Sequence, residues 1–362
     1  MNIRKNASQI ILNLSPKRVR DKILVIESDD WGAIRSPRAS EENKGYKHDG
    51  PYRLDTLENE NDVEVLVNAL SGLKNRQGFS PVFTANFLST NPNFSQIKEK
   101  GFEEYLWEPI QVSYDRVGNA NKIKTLFDEA IDNGHFSPQL HGREHVNISR
   151  WLRALKSDHK GTLNSFQYGS TYSGDEDYSY MESFDFDESG TGYIESYTEI
   201  LNQAVNQFKS YFGQAPESFI PPCYTFPKEL IPVLGKLNIK SIQGMKYLII
   251  PKGGLSNYDY QRRYQGVKSD GLINLVRNVE LEPSMDLNQN WIDNALHQTS
   301  MAFRMKQPAI VSTHRINYVG GVSTENRDRG IEILTTYLDK VLQKWPDVKF
   351  MSSAELSKKY YE

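Results

Sequence analysis

KILVIESDDWG, residues 22–32, decides the fold class. Its apolar run reads as a strand buried on both faces, as in a parallel sheet with helices on either side. The run ends abruptly in Asp29, Asp30, Trp31 and Gly32. The same pattern recurs downstream. PVFTANFL (81–88) and HFSPQLHG (135–142) read as short strands, ESFIPPCYTF (217–226) as a strand broken by Pro221 and Pro222, and LINLVRNVELEPS (272–284) and QPAIVSTHRINY (307–318) as strands ending in charged chemistry. Helical periodicity fills the intervals at about 62–75, 122–134, 193–213 and 291–305, with Gly134 a natural C-terminal stop. Strand–helix alternation of this kind predicts an α/β protein built on a parallel sheet or barrel, with functional groups gathered at the strand C-terminal ends. The expectation is a helical extension over 1–20 and one (β/α)-barrel catalytic domain over 21–362. A surface insertion is expected at about 161–192, where periodicity stops around GDEDYSYMESFDFDESGTG (174–192).

Composition narrows the function classes. The 362 residues carry 43 Lys+Arg against 46 Asp+Glu, a net charge of −3, without the basic excess that phosphate binding needs. Nucleic acid is therefore not expected as a partner. Cys223 is the only cysteine, so a disulfide scaffold is excluded. Mean hydropathy is −0.61, and no window approaches the ~18 apolar residues of a membrane span. The apolar stretch at 10–14 is interrupted by Asn13 and falls short of the ~7–15 residues of a signal h-region, so the cytoplasm is the expected compartment.

Three clusters can do chemistry. Asp29 and Asp30 stand at the end of the first strand, where one carboxylate can ligate a metal while the other faces a water; a turn or cap role is the alternative. His141 and His145, in HGREH, are four residues apart and suit a divalent ion if their rings share a side. His314 follows the PAIVS strand, where a structural histidine is the plainer reading. One aspartate with two histidines is a donor set for zinc or another first-row divalent ion, and a second carboxylate and a distant histidine would complete a base and an acid.

At this point the chain resembles the NodB-like polysaccharide deacetylases, carbohydrate esterase family 4. ESDDWG (27–32), HGREH (141–145), FIPPCY (219–224) and VSTH (311–314) are similar to four of the family's five motifs, in order. The resemblance runs over about 21–356. It implies a distorted (β/α) barrel and one divalent metal, zinc in the first instance, held by Asp30, His141 and His145. It also implies Asp29 as base, His314 as acid, and an acetylated sugar or glycan precursor as substrate. The Cys223 backbone N–H, with Tyr224 and Trp31 nearby, would line the oxyanion and substrate side.

The chain departs from the family pattern at two motifs. Ile220 stands where the family has the arginine that orients the base, and Cys223 where it has tyrosine. RNVELEP (277–283) occupies the region of the fourth motif; Arg277 is the candidate replacement for the missing arginine, and Glu280 or Glu282 a candidate support for His314. Arg143 and Glu144 are candidate orienting groups for the metal ligands. Two other readings stay open. HGREH also fits the H-x-x-E-H pattern of inverted zinc peptidases, although Gly142 and Pro138 oppose the long helix that it needs. A barrel that keeps its metal and binds a glycan without turnover is the non-enzymatic alternative. The acidic, aromatic stretch at 168–187 is expected to be a solvated loop over the mouth, with a lid role as its alternative.

Overall fold

A computed structural model describes residues 3–175, 179–187 and 192–361; residues 176–178 and 188–191 of the expected insertion lie outside the described residues. The parallel strands are β1 (Ile23–Trp31), β2 (Phe83–Leu88), β3 (Phe136–Gly142), β4 (Ser218–Phe219) and β5 (Ser241–Gly244). An antiparallel edge strand, β6 (Lys268–Ser269), precedes β7 (Leu272–Val276), β8 (Val279–Glu280), β9 (Ala309–His314) and β10 (Lys349–Phe350). Their spatial order is β6-β7-β5-β4-β3-β2-β1-β9-β8, with β10 also on β1. Helices at Glu60–Ser71, Ala120–Asp132, Tyr193–Phe212, Trp291–Arg304 and Thr324–Lys344 fill the connections, so the α/β reading is met. The Tyr193–Phe212 helix stops at Gly213, whose φ of +71° is the left-handed geometry of a helix C-terminus.

A distorted (β/α) barrel was the expectation, and the sheet is curled but open. The physical reason lies at 272–280. This segment pairs through β7 with β5 and then, two residues later, through β8 with β9. The Arg277 N–H donates to the Gly244 carbonyl at 2.9 Å, and the Asn278 N–H to the Ile310 carbonyl at 3.1 Å. The chain therefore steps across the gap between two sheet edges in place of a full ladder. Arg277 stands in that seam.

Alternation along the strands separates two faces. Leu24, Ile26, Phe83, Ala85, Phe87, Phe136, Leu140 and Val311 join the main core beneath the helices. Ile23, Val25, Ile273, Leu275 and Ile310 form a smaller cluster on the other face. Two residues further along each strand, that second face changes from apolar to polar at Glu27, Asp29, Arg277, Ser312 and His314.

Within the 1–20 extension the described helix runs over Ile3–Leu12. The 161–192 stretch departs from expectation. Lys160–Gln167 is a helix, and Tyr180, Phe184 and Asp185 are buried. Phe184 packs on Phe226 and Phe219, with ring centroids 5.0 and 6.1 Å away. Arg150 pairs with Asp185 at 2.7 Å and Asp187 at 2.8 Å. A buried Phe contributes about 1.5–3 kcal/mol, enough to hold such a segment down in spite of its acids. Among the described residues no helix is long and apolar enough to cross a membrane.

Candidate metal centre and active site

A bulge at the end of β1 makes the site. Ser28 pairs with Ala85 and Trp31 with Phe87, so Asp29 and Asp30 together face the single residue Asn86. Asp30 takes φ +73°, a conformation that Asp tolerates better than most residues. The extra residue breaks the alternation. Both carboxylates turn to the polar face, and Trp31 swings into the core.

Asp30, His141 and His145 converge, with one ligand atom from each lying within 4.8 Å of the others. His141 Nδ1 is 2.9 Å from the Ile220 carbonyl oxygen. A carbonyl only accepts, so Nδ1 carries a proton and donates, which leaves Nε2 as the nitrogen turned to Asp30. That Nε2 lies 3.4 Å from Asp30 Oδ1, and His145 Nε2 lies 3.3 Å from the same oxygen. Asp30 Oδ1 is buried without a hydrogen-bond partner among the described residues. Burial, with Arg35 nearby, pushes His145 down to about 3, so its ring is neutral. Asp30 Oδ1 and the two Nε2 atoms thus face one point, where a cation would satisfy the unpartnered oxygen. The residues fit a divalent metal with one oxygen and two nitrogen donors.

The second oxygen of Asp30 is held by Arg35, whose Nη1 is 2.7 Å away. Burial alone would raise Asp30, but Arg35 together with His141, His145 and His314 holds the carboxyl well below the usual range. Arg35 also lies 4.5 Å over the Tyr52 ring and 3.7 Å from Asp55.

Asp29 is gripped from the seam. Arg277 donates to both of its oxygens, at 2.6 and 2.7 Å, and to Glu27 at 2.8 Å; Asn86 Nδ2 adds a bond of 2.8 Å to Asp29 Oδ1. Burial would raise the Asp29 pKa, but Arg277 brings it down to about 2. Arg277 is itself fully buried, so each of these bonds is charge-assisted and shielded from water. His314 Nε2 is 3.7 Å from Asp29 Oδ2, and Nδ1 is 2.6 Å from Glu282 Oε1. Burial opposes the charged ring, yet Glu282, Asp29 and Asp30 prevail and push His314 up to about 10. It is an imidazolium at neutral pH, with Nδ1 donating to Glu282.

The structure thus brings together Asp29, Asp30, His141, His145, Arg277 and His314. Other expectations are corrected. Trp31 cannot touch substrate: it is fully buried, packed edge-on to Phe83 and Phe136, and its Nε1 donates to Ser28. Arg143 does not brace the metal ligands; it pairs with Glu144 and Gln203 and lies over the Tyr105 and Trp107 rings. Glu144 is therefore engaged elsewhere, and HGREH is a strand end followed by a turn. The peptidase geometry, with both histidines and the glutamate on one helix, is absent there. Glu280 is exposed and only its backbone is held, by Gln298, so Glu282 is the carboxylate at His314.

Two chambers border the arginines that hold the carboxylates. One, of about 440 Å³, is bordered by Arg35, Cys223, Thr171, Tyr172 and Met181. The other, of about 460 Å³, is bordered by Arg277, Tyr224, Glu282 and His314. Tyr52 and Met285 border both, so the chambers meet there. Cys223 and Tyr224 have φ values of +50° and +58°, and they border opposite chambers.

Sequence reasoning missed Arg35, Tyr52, Asn86 and Glu27. Asn86 and Glu27 carried a signal, as polar residues within apolar strands at positions in step with Asp29. Arg35 carried none, because only the turn after the bulge brings it back to Asp30.

No protein-family model and no curated protein matches this chain. Among solved structures, it is similar to a CE4 family pseudoenzyme from Bacillus anthracis, at 12% identity and a TM-score of 0.39 over 95% of this chain and 70% of that one. It is similar to a GH57-type branching enzyme from the archaeon Pyrococcus horikoshii, at 10% identity and a TM-score of 0.48 over 94% and 70%. It is also similar to a family 4 carbohydrate esterase from Streptomyces lividans in complex with acetate, at 10% identity and a TM-score of 0.35 over 88% of each chain. Likenesses this distant carry no inference about chemistry, which for this chain rests on its own residues.

Proposed function

We propose that this chain is a divalent-metal-dependent hydrolase that removes an acetyl group from an acetylated sugar or glycan precursor, on a distorted (β/α) barrel of the NodB-like deacetylase type. The observation that carries this reading is the unpartnered Asp30 Oδ1 facing two histidine Nε2 atoms, with Asp29 and His314 beside it. Asp30, His141 and His145 would hold the metal; zinc suits one oxygen and two nitrogens. When bound there, a divalent ion would supply polarisation of the acetyl carbonyl and a more acidic water. Asp29 takes the water's proton as the C–O bond forms. Arg277 keeps that carboxylate ionised and aimed, the task that Ile220 leaves vacant in the third motif. His314, charged and held by Glu282, gives its proton to the departing amine or alcohol. The Cys223 N–H is the candidate donor to the oxyanion.

One observation favours a second reading, a metal-containing barrel that binds glycan without turnover. Arg277 and Asn86 already occupy both Asp29 oxygens, and a carboxylate held at about 2 is a weak base. The two readings separate on Asp29→Asn. Carboxylate release from N-acetylglucosamine oligomers by the zinc-loaded protein should fall about 10²–10⁴-fold in this variant, with zinc retained. Hydrolysis at the parental rate removes Asp29 as base; no release by the parent at all leaves the binding barrel.

A further inference from the structure

The N-terminal helix is mounted inside out. Ala7, Ile10, Ile11 and Leu14 have the spacing of one helical face, the stripe that ordinarily packs on a core. The Asn13 N–H still donates to the Gln9 carbonyl at 3.1 Å, so the turn continues and Leu14 stays on that face. Here the stripe is turned to solvent: Ile10, Ile11 and Leu14 are 41, 42 and 43 % exposed. The polar face is turned inward instead. Asn13 is buried and its Oδ1 accepts from Asn278 Nδ2 at 2.8 Å, while Gln9 joins Leu12 in the wall of the 460 Å³ chamber.

A hairpin adjoins this helix. Its strands, Tyr247–Pro251 and Tyr258–Arg262, pair Tyr247 with Arg262 and Ile249 with Tyr260, so these four side chains share one face. From it, Arg262 Nη2 donates to the Ile11 carbonyl at 3.0 Å; Ser15 Oγ ties the end of the helical segment to the Gln265 carbonyl at 2.6 Å. Tyr247, Tyr260 and Tyr264 are exposed, Tyr260 by 63 %. The charge on these two segments has one sign. Residues 6–20 and 245–264 present Lys17, Arg18, Arg20, Lys246, Lys252 and Arg262 against one acid, Asp259, in a chain whose net charge is −3.

We propose that this surface, the outward stripe of the N-terminal helix with the tyrosine face of the hairpin, docks on an anionic lipid bilayer. Apolar side chains on an interfacial helix enter the headgroup boundary, while tyrosine hydroxyls and cations stay among the headgroups. Each Lys or Arg held near an anionic surface strengthens binding about fivefold. A two-fold contact between copies of this chain would set the same cations against one another, which an anionic bilayer does not. Gln9, Leu12 and Met245 border the chamber that holds His314, so docking puts the mouth of the candidate site at the lipid surface.

The test is sedimentation of the full chain with vesicles of phosphatidylserine and phosphatidylcholine in equal parts, and with phosphatidylcholine vesicles alone. Binding to the mixed vesicles should be about tenfold tighter, and ~1 M salt, which cuts screening to about 3 Å, should remove most of that difference. The double variant Ile10→Ser, Ile11→Ser should bind the mixed vesicles about tenfold more weakly. Lys246→Glu, on the hairpin, should lose about fivefold or more and decides the matter if the double variant does not fold. Failure to sediment with the mixed vesicles, equal binding to both kinds, or variants that bind as the parent does overturns the proposal. A dimer in analytical ultracentrifugation that the double variant loses, without vesicle binding, also overturns it and gives the face to a second copy. Vesicle binding is read without turnover, so its outcome is separate from that of the hydrolase reading.

Discussion

Arg277→Met removes the cation at the sheet seam and keeps most of its volume. Two buried carboxylates, Glu27 and Asp29, then lose their three short charge-assisted bonds. Breaking one partner out of a buried ion pair costs about 3–5 kcal/mol, a large share of the roughly 5–15 kcal/mol that holds a domain folded. The pH dependence fixes the mechanism. In the parent, Asp29 is lowered from 3.8 to about 2, so its contribution is present above 3.8 and lost as pH falls through about 2; by linkage it is worth about 2 kcal/mol. Without Arg277, burial raises that carboxyl, and the variant is penalised as pH rises through the raised value. The destabilisation relative to the parent should therefore grow between pH 4 and pH 7. Urea unfolding followed by circular dichroism at several pH values measures it. A loss below about 1 kcal/mol that is flat across that range refutes the reasoning.

Glu282→Gln should bring the His314 titration from about 10 down toward its ordinary range, because Glu282 is the main group holding it up against burial. In the parent, the His314 contribution is complete below 6.5 and lost as pH rises through about 10; an NMR titration that does not move in the variant contradicts this assignment. Trp31→Ala should cost about 3–5 kcal/mol of stability, as expected of a core aromatic, with zinc binding unchanged. A loss under 1 kcal/mol by thermal or urea unfolding would place Trp31 outside the core.

The strands were legible wherever apolar runs ended in chemistry. β1, β2, β3 and β9 all lie where their sequences put them, and so does the long helix that stops at Gly213. The convergence of Asp30, His141 and His145 was expected from the motifs, since strands at one sheet end bring their last residues together. The bulge was not legible. It depends on Asp30 adopting a positive φ opposite Asn86, a tertiary register that local spacing does not encode, and this is why Trp31 was assigned to the wrong face. The open sheet was missed for a similar reason: nothing in LINLVRNVE says that its two halves pair with different neighbours. In the 161–192 stretch, the acids concealed Tyr180 and Phe184, whose burial outweighs the charge. Arg35 is a product of the fold alone, reaching Asp30 through the turn that follows the bulge.

The central claim is the metal centre, and a zinc titration of the purified chain tests it most directly. By calorimetry with elemental analysis, the parent should take up about one zinc per chain. Asp30→Ala, His141→Ala and His145→Ala should each lose that uptake, whereas Asp29→Asn keeps it. A parent that binds no divalent ion, or ligand variants that keep the parent's stoichiometry and affinity, would contradict the account.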